Sequence, residues 1–270
     1  FNIKKIGHAG TLDPLATGVL ALAIGKATKT VSYIMDGIKK YSFVIKWGVS
    51  TDTHDMEGKV TSKSNKIPNK SKLQSILKNF AGEISQVPPK FSAIKVNGQR
   101  AYSLARKGKK FTLKSRKVFL KKICIVNKEN EKKVNSTTFE IECGKGFYVR
   151  SFARDFGKNL HTKAHIHSLK RISVGKFTIE NSILLDDLLK ISEMSFGITG
   201  FHPSISMLDD ILAFEIDDEK LLKDISHGRA VKLNELEKSK PFEFNEKNKF
   251  YLLMNKNLII SIGKLEGKYF

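Results

Sequence analysis

Tyr41, Phe43, Ile45 and Trp47 alternate with Ser42, Val44 and Lys46. That period of two predicts a strand with the ring-bearing side chains on one face. Residues 118–126 and 137–143 alternate in the same way and flank a polar stretch, 127–135, so they predict a long antiparallel hairpin. The spacing changes at Phe152, Phe156 and Leu160, which recur every four residues and predict a helix entered from residues 147–150. Leu73, Ile76, Leu77 and Phe80 mark another one-sided helix, preceded by a lysine-rich polar loop over 61–69 and followed by a break at Pro88 and Pro89. The unbroken apolar run 19–24, closed by Gly25, predicts a buried strand, and 27–35 a short helix ending near Gly37. Residues 91–96 predict a strand, Asn97-Gly98 a tight turn, 102–107 a short helix stopped by Gly108, and 169–174 a basic strand.

The run 197–203, Gly-Ile-Thr-Gly-Phe-His-Pro, interrupts this pattern like a linker. Strand patterns at 249–254 and 258–262, joined by a turn at 255–257, then predict a small β-rich module. No internal repeat emerges. The expected organisation is a large domain over 1–208 and a small one over 209–270.

Composition narrows the partners. Among 270 residues, 48 are Lys or Arg and 27 are Asp or Glu, a formal charge of +21. Such a surface condenses onto a polyanion and releases counterions, which makes nucleic acid the first candidate. A lysine-rich surface can also serve solubility alone, so charge by itself does not choose. Cys124 and Cys143 stand apart, without the spacing of a zinc site or a disulfide framework. No apolar stretch approaches a membrane span and no secretory leader is visible, so a reduced, cytoplasmic setting is expected and a membrane role is not.

Residues 7–18 read Gly-His-Ala-Gly-Thr-Leu-Asp-Pro-Leu-Ala-Thr-Gly. Glycines on either side permit backbone conformations closed to other residues, and Pro14 biases Asp13 towards an extended conformation, so the carboxylate is held. Asp13 is thus a candidate nucleophile or base; an Asp-Pro pair taken alone favours a turn cap. His54, beside Asp52 and Asp55, reads as part of a solvent-facing polar turn and not as a metal site.

The stretch closely resembles the active-site motif of tRNA pseudouridine synthases of the TruB type, Gly-His-x-Gly-Thr-Leu-Asp-Pro-x-Ala-x-Gly. Matching segments follow in order: Gly-Lys-Ala-Thr-Lys at 25–29, Lys40-Tyr41, Gly48 with Thr-Asp-Thr at 51–53, Val-Pro-Pro at 87–89 running into Phe-Ser-Ala-Ile-Lys at 91–95, and 144–150. The resemblance extends to about residue 174. It lacks the Lys-Pro-x-Gly segment that precedes the motif in the family, so an N-terminal segment is expected to be missing, leaving an unpaired sheet edge.

The resemblance implies an α+β fold: a mixed, mostly antiparallel sheet with flanking helices, then a small C-terminal RNA-binding domain. It implies conversion of uridine to pseudouridine in the T-arm of tRNA, position 55 in the family, with Asp13, Tyr148 and Arg150 as catalytic residues. Arg150 is placed opposite Asp13, and a phosphate-binding role is the rival reading for a basic protein. Tyr41 is the implied stacking partner of the everted base, Leu169 an apolar wall, and Tyr148 the proposed base for the final proton. His8 is expected to fill the gap left in the RNA. Lys26, Lys29, Lys90, Lys95 and Arg106, with the basic run that continues to Lys122, are the expected phosphate contacts. No metal or organic cofactor is demanded, and the expected partner is tRNA alone, bound by a monomer. A guide-dependent relative and a non-catalytic RNA chaperone are the competing readings.

Overall fold

The computed structural model describes residues 3–77, 80–126, 135–190, 200–208, 211, 213–232, 250–256, 258–264 and 266–270. Their elements group into two units, Phe1–Phe201 and His202–Phe270. The first opens with β1 (Ile6–His8), β2 (Ala16–Gly18) and β3 (Leu22–Ile24), passes through a 3-10 turn (Gly25–Lys29) into α1 (Val31–Asp36), and lays down β4 (Lys39–Trp47), β5 (Val49–Thr51), β6 (Val60–Lys63), α2 (Lys70–Leu77) and β7 (Gly82–Gln86). A small hairpin of β8 (Lys95–Val96) and β9 (Gln99–Arg100) leads into α3 (Ala101–Arg106). Then come β10 (Arg116–Ile125), β11 (Ser136–Cys143), α4 (Val149–Asn159), β12 (Ala164–Val174), β13 (Phe177–Thr178) and α5 (Leu185–Lys190).

The main sheet runs β13-β12-β4-β11-β10-β7, with β2 added beside β12; β2 is its parallel member and the other pairings are antiparallel. The expected hairpin is β10 with β11, registered from Leu120↔Cys143 to Ile125↔Phe139. Its tip, 127–134, lies outside the described residues. The period-two strand is β4, and its Phe43, Ile45 and Trp47 are buried as expected. They meet α4, whose Phe152 and Phe156 are fully buried with Leu160 close behind. Phe43 stacks on Phe139 at 5.6 Å between ring centres, Phe152 on Phe156 at 5.2 Å, and Phe80 sets its edge against both rings of α4. Each buried ring contributes roughly 2–3 kcal/mol of apolar transfer, so this aromatic layer fixes how α4 sits on the sheet.

Three sequence expectations change. The apolar run 19–24 is no single buried strand: Val19 and Ala23 are buried, but Leu20, Leu22 and Ile24 are exposed. The run turns away from the main sheet into the two-stranded β1–β3 ribbon, which packs only the face carrying Gly7 and Ala23. Residues 61–63, the start of the expected loop, belong to β6, because Ser50, Thr61 and Ser62 hydroxyls bond across the hairpin with β5. Of 91–96, only the last two residues are strand. Asn97 and Gly98 both take positive φ, the conformation a two-residue hairpin turn requires.

The second unit holds β14 (Ala213–Glu215), α6 (Glu219–Ser226), β15 (Tyr251–Asn255) and β16 (Leu258–Gly263). β15 pairs in parallel with β14 and antiparallel with β16. Phe214, Ile216, Ile225, Val231, Tyr251 and Leu253 form its core, and Asp218 caps α6 through Leu221 N at 2.9 Å. Residues 197–199 of the expected linker, and 249, lie outside the described residues. The fold is α+β, a mixed, mostly antiparallel sheet with flanking helices followed by a small unit rich in strands.

Candidate active site

β12 is the strand on which the site is assembled. One of its edges is filled by β4 from Ala164↔Trp47 to Val174↔Lys39. The other edge takes, in order, a parallel bridge from Asp55 at Ile166, β2 at Leu169 to Arg171, and β13 at Ser173 and Val174. Two segments distant in sequence, 9–18 and 51–55, are therefore brought side by side.

Asp13 lies in the turn between β1 and β2. Ala16 N donates to Asp13 O at 2.8 Å, and Gly10 enters the turn at φ 119°. Gly18 ends it at φ 99°, and a Cβ there would stand 2.2 Å from Arg171 O, so only glycine lets β2 dock this closely.

Arg150 is the second residue of α4, and its side chain is 5% exposed against 32% for Asp13. Nε donates to Asp13 Oδ2 at 2.8 Å and Nη2 to Asp13 Oδ1 at 2.6 Å, a bidentate pair. The same guanidinium donates to Thr53 O at 3.2 Å and Phe91 O at 3.0 Å, and stands 3.4 Å from Asp55 Oδ2. One cation thus serves two carboxylates. The reading of 52–55 as a solvent-facing turn holds for the exposed Asp52 and is corrected at Asp55, whose side chain is 3% exposed and accepts from Thr53 Oγ1 at 2.5 Å and Glu57 N at 3.1 Å. The backbone bridge to Ile166 draws it inward, which polar composition alone does not reveal. His54 is half-buried at φ 63°, its Nδ1 without a hydrogen-bond partner. Burial first, then Arg154 and Arg150, push its imidazole down to about 4.

Tyr41 on β4 and Tyr148, the residue capping α4, both feel the Asp13 charge. Burial pushes both phenols above their ordinary value; nearby arginines, Arg171 for Tyr41 and Arg116 for Tyr148, oppose it. At neutral pH both rings are therefore phenols. Gln86, a buried residue of β7, exchanges two hydrogen bonds with the Tyr148 backbone: Tyr148 N donates to Oε1 at 3.0 Å and Nε2 donates to Tyr148 O at 3.4 Å. Leu169 is buried on β12, registered with Ala16 on one side and Phe43 on the other.

The remaining candidates lie apart from this cluster. His8 ends β1 on the exposed side of the ribbon, its Nδ1 accepting from Gly10 N at 3.3 Å. Lys26 and Lys29 are exposed on the 3-10 turn; Lys90, Lys95 and Arg106 are exposed between β7 and the end of α3, with Arg106 over the Tyr102 ring. Among the described residues no group of three or more His, Cys, Asp or Glu is placed to hold a metal. Gln86 went unnoticed in sequence, and Asp55 was seen only as part of a solvent-facing turn; the Thr-Asp-Thr segment and the glutamine just before the prolines were the available signals.

A carboxylate held at both oxygens by a guanidinium, a third exposed, and close enough for its charge to reach two protonated phenols can act as a nucleophile or base on a planar guest. The family model for the TruB family pseudouridylate synthase (N terminal domain) matches residues 1–149. The tRNA pseudouridine synthase B of Caulobacter sp. (strain K31) is 46% identical over 233 residues, covering 86% of this chain and 74% of that protein. The same-named protein of Brucella anthropi is 49% identical over 188 residues, 70% of this chain and 57% of its own length. Among solved structures, a chain of a Cbf5-Nop10-Gar1 complex aligns with a TM-score of 0.72 at 23% identity, covering 97% of this chain and 70% of that one. A chain of an H/ACA RNP bound to a substrate RNA containing 2'-deoxyuridine aligns at 0.70 and 20% identity. These last two likenesses are of fold.

Proposed function

The chain belongs to the TruB family of pseudouridylate synthases, and we propose that it converts a uridine in the T-arm of tRNA to pseudouridine, with Asp13 as the reacting carboxylate. The observation that carries this reading is the bidentate Arg150–Asp13 pair, whose carboxylate charge reaches both Tyr41 and Tyr148. The isomerisation breaks the bond from N1 to C1′, turns the uracil, forms the bond from C5 to C1′, moves the C5 proton away and leaves a proton on N1. Nothing is oxidised or reduced, so one oriented carboxylate and a proton acceptor suffice.

The guanidinium compensates the Asp13 charge and fixes both oxygens, while the exposed third of the side chain leaves room for a nucleotide. A uridine within a folded T-loop has to leave its stack, and the Tyr41 ring offers it an aromatic face. Leu169 supplies an apolar wall. In this reading the Tyr148 phenol, which burial keeps protonated at rest, gives its proton to N1 of the freed uracil and then takes the C5 proton, which restores it. His8 enters the space vacated in the RNA, and Lys26, Lys29, Lys90, Lys95 and Arg106 bind phosphates. The setting is cytoplasmic, and the protein acts as a monomer without an obligatory protein partner.

The test is to give the purified chain an unmodified T-arm hairpin, without guide RNA or other protein, and to map pseudouridine by sequencing. Conversion of a single loop uridine is expected. A requirement for a guide, or conversion elsewhere in full tRNA only, overturns the T-arm assignment.

A further inference from the structure

Arg171 on β12 is 2% exposed. Its Nε donates to Val19 O at 2.7 Å, its Nη2 donates to Gly10 O at 3.0 Å, and it hydrogen-bonds the Tyr41 side chain. Gly10 and Val19 are the two ends of the segment that carries Asp13. The Arg171 backbone closes the same joint: Val19 N donates to Arg171 O at 2.9 Å, and Arg171 is registered with both Gly18 and Tyr41.

All three of those oxygens are neutral. Taking a guanidinium out of water to serve neutral oxygens is costly, and an aliphatic side chain could fill a strand position without that cost. What the guanidinium adds is a rigid planar fork that reaches separate acceptors from separate nitrogens, where a lysine has one nitrogen for all of them. It also brings a second positive charge to a neighbourhood in which Asp13 and Asp55 share Arg150. Tyr41 feels the Asp13 and Arg171 charges together.

We infer that Arg171 is a positioning residue that locks the turn bearing Asp13 to the Tyr41 ring, holding the reacting carboxylate at a set distance from the face on which the everted base rests. The inference depends on the roles proposed for Asp13 and Tyr41. Touching neither substrate nor the reacting atoms, Arg171 acts through geometry, and misplacement of this kind lowers the chemical rate while leaving most RNA contacts intact.

The experiment measures single-turnover pseudouridine formation and hairpin affinity for the wild type, Arg171→Lys, Tyr41→Phe, the double variant and Asp13→Asn. Arg171→Lys is expected to slow the rate by on the order of 10²-fold with affinity changed by less than about twofold. In the Tyr41→Phe background the same substitution is expected to cost at least about threefold less, because one of its acceptors is already gone. Tyr41→Phe keeps the ring and the fold, and it too is expected to slow the reaction. A wild-type rate in either single variant, the same loss in both backgrounds, or an affinity loss equal to the rate loss overturns the inference. Asp13→Asn separates the two levels. If it is inactive while Arg171→Lys and Tyr41→Phe behave as wild type, only the positioning role falls; if it is as active as wild type, the proposed function falls with it.

Discussion

Arg150 holds two carboxylates with one guanidinium, and its geometry separates two roles that composition leaves open. A phosphate-binding arginine projects into solvent; this one is buried and committed to Asp13 through two short bonds. Arg150→Lys keeps the charge but loses the fork. Turnover is expected to fall on the order of 10²-fold in single-turnover assays, with RNA affinity nearly unchanged. Equal losses would mark it as a phosphate contact. His54 supplies a stability test at the same scale. Its imidazole titrates near 4 in the fold against an ordinary 6.5. Between those values the unfolded chain binds a proton that the folded chain refuses, so stability falls as pH drops through that window, by up to about 3 kcal/mol, and is level above it. Asparagine tolerates the φ of 63° at this position. Denaturant titrations of His54→Asn are therefore expected to show a shallower loss between pH 6.5 and 4; a slope identical to wild type would contradict the burial argument.

At the scale of elements, the site depends on how closely β2 approaches β12. Gly18→Ala would put a methyl 2.2 Å from a backbone oxygen at a φ of 99°, so the strand must retreat and carry Asp13 with it. A destabilisation of about 1–3 kcal/mol is expected in thermal unfolding, with a rate loss larger than that lowered stability explains. A wild-type rate in a folded Gly18→Ala would show that Asp13 does not need this docking. Elements whose residues alternate or recur within one stretch were legible in sequence: β4, the β10–β11 pair, α2 and α4. Those made by partners elsewhere were not. Residues 60–63 are strand because hydroxyls answer them from β5, and the 19–24 run is half exposed because it leaves the sheet for a ribbon. The same distinction holds within the site. Asp13 and Arg150 stand in recognisable motifs, whereas Asp55 becomes part of it only through a backbone bridge to Ile166, and Arg171 only through carbonyls more than a hundred positions away.

The whole molecule carries a formal charge of +21. Binding to a T-arm hairpin is accordingly expected to weaken steeply with salt, by roughly a thousandfold between low and moderate concentration if about six phosphates are neutralised. Replacing Lys26, Lys29, Lys90, Lys95 and Arg106 by alanine, singly and together, is expected to flatten the slope by about one unit per true contact, measured as affinity against salt. A slope that stays constant would assign the charge to solubility. Charge, however, brings the substrate to the protein and does not transform it. In the proposed function the chemistry rests on one carboxylate, and the measurement closest to it is release of tritium from C5 of labelled tRNA by the wild type and by Asp13→Asn at equal RNA occupancy. Release by the wild type with none above background from the variant is expected; equal release from both would contradict the assignment of Asp13 as the reacting group.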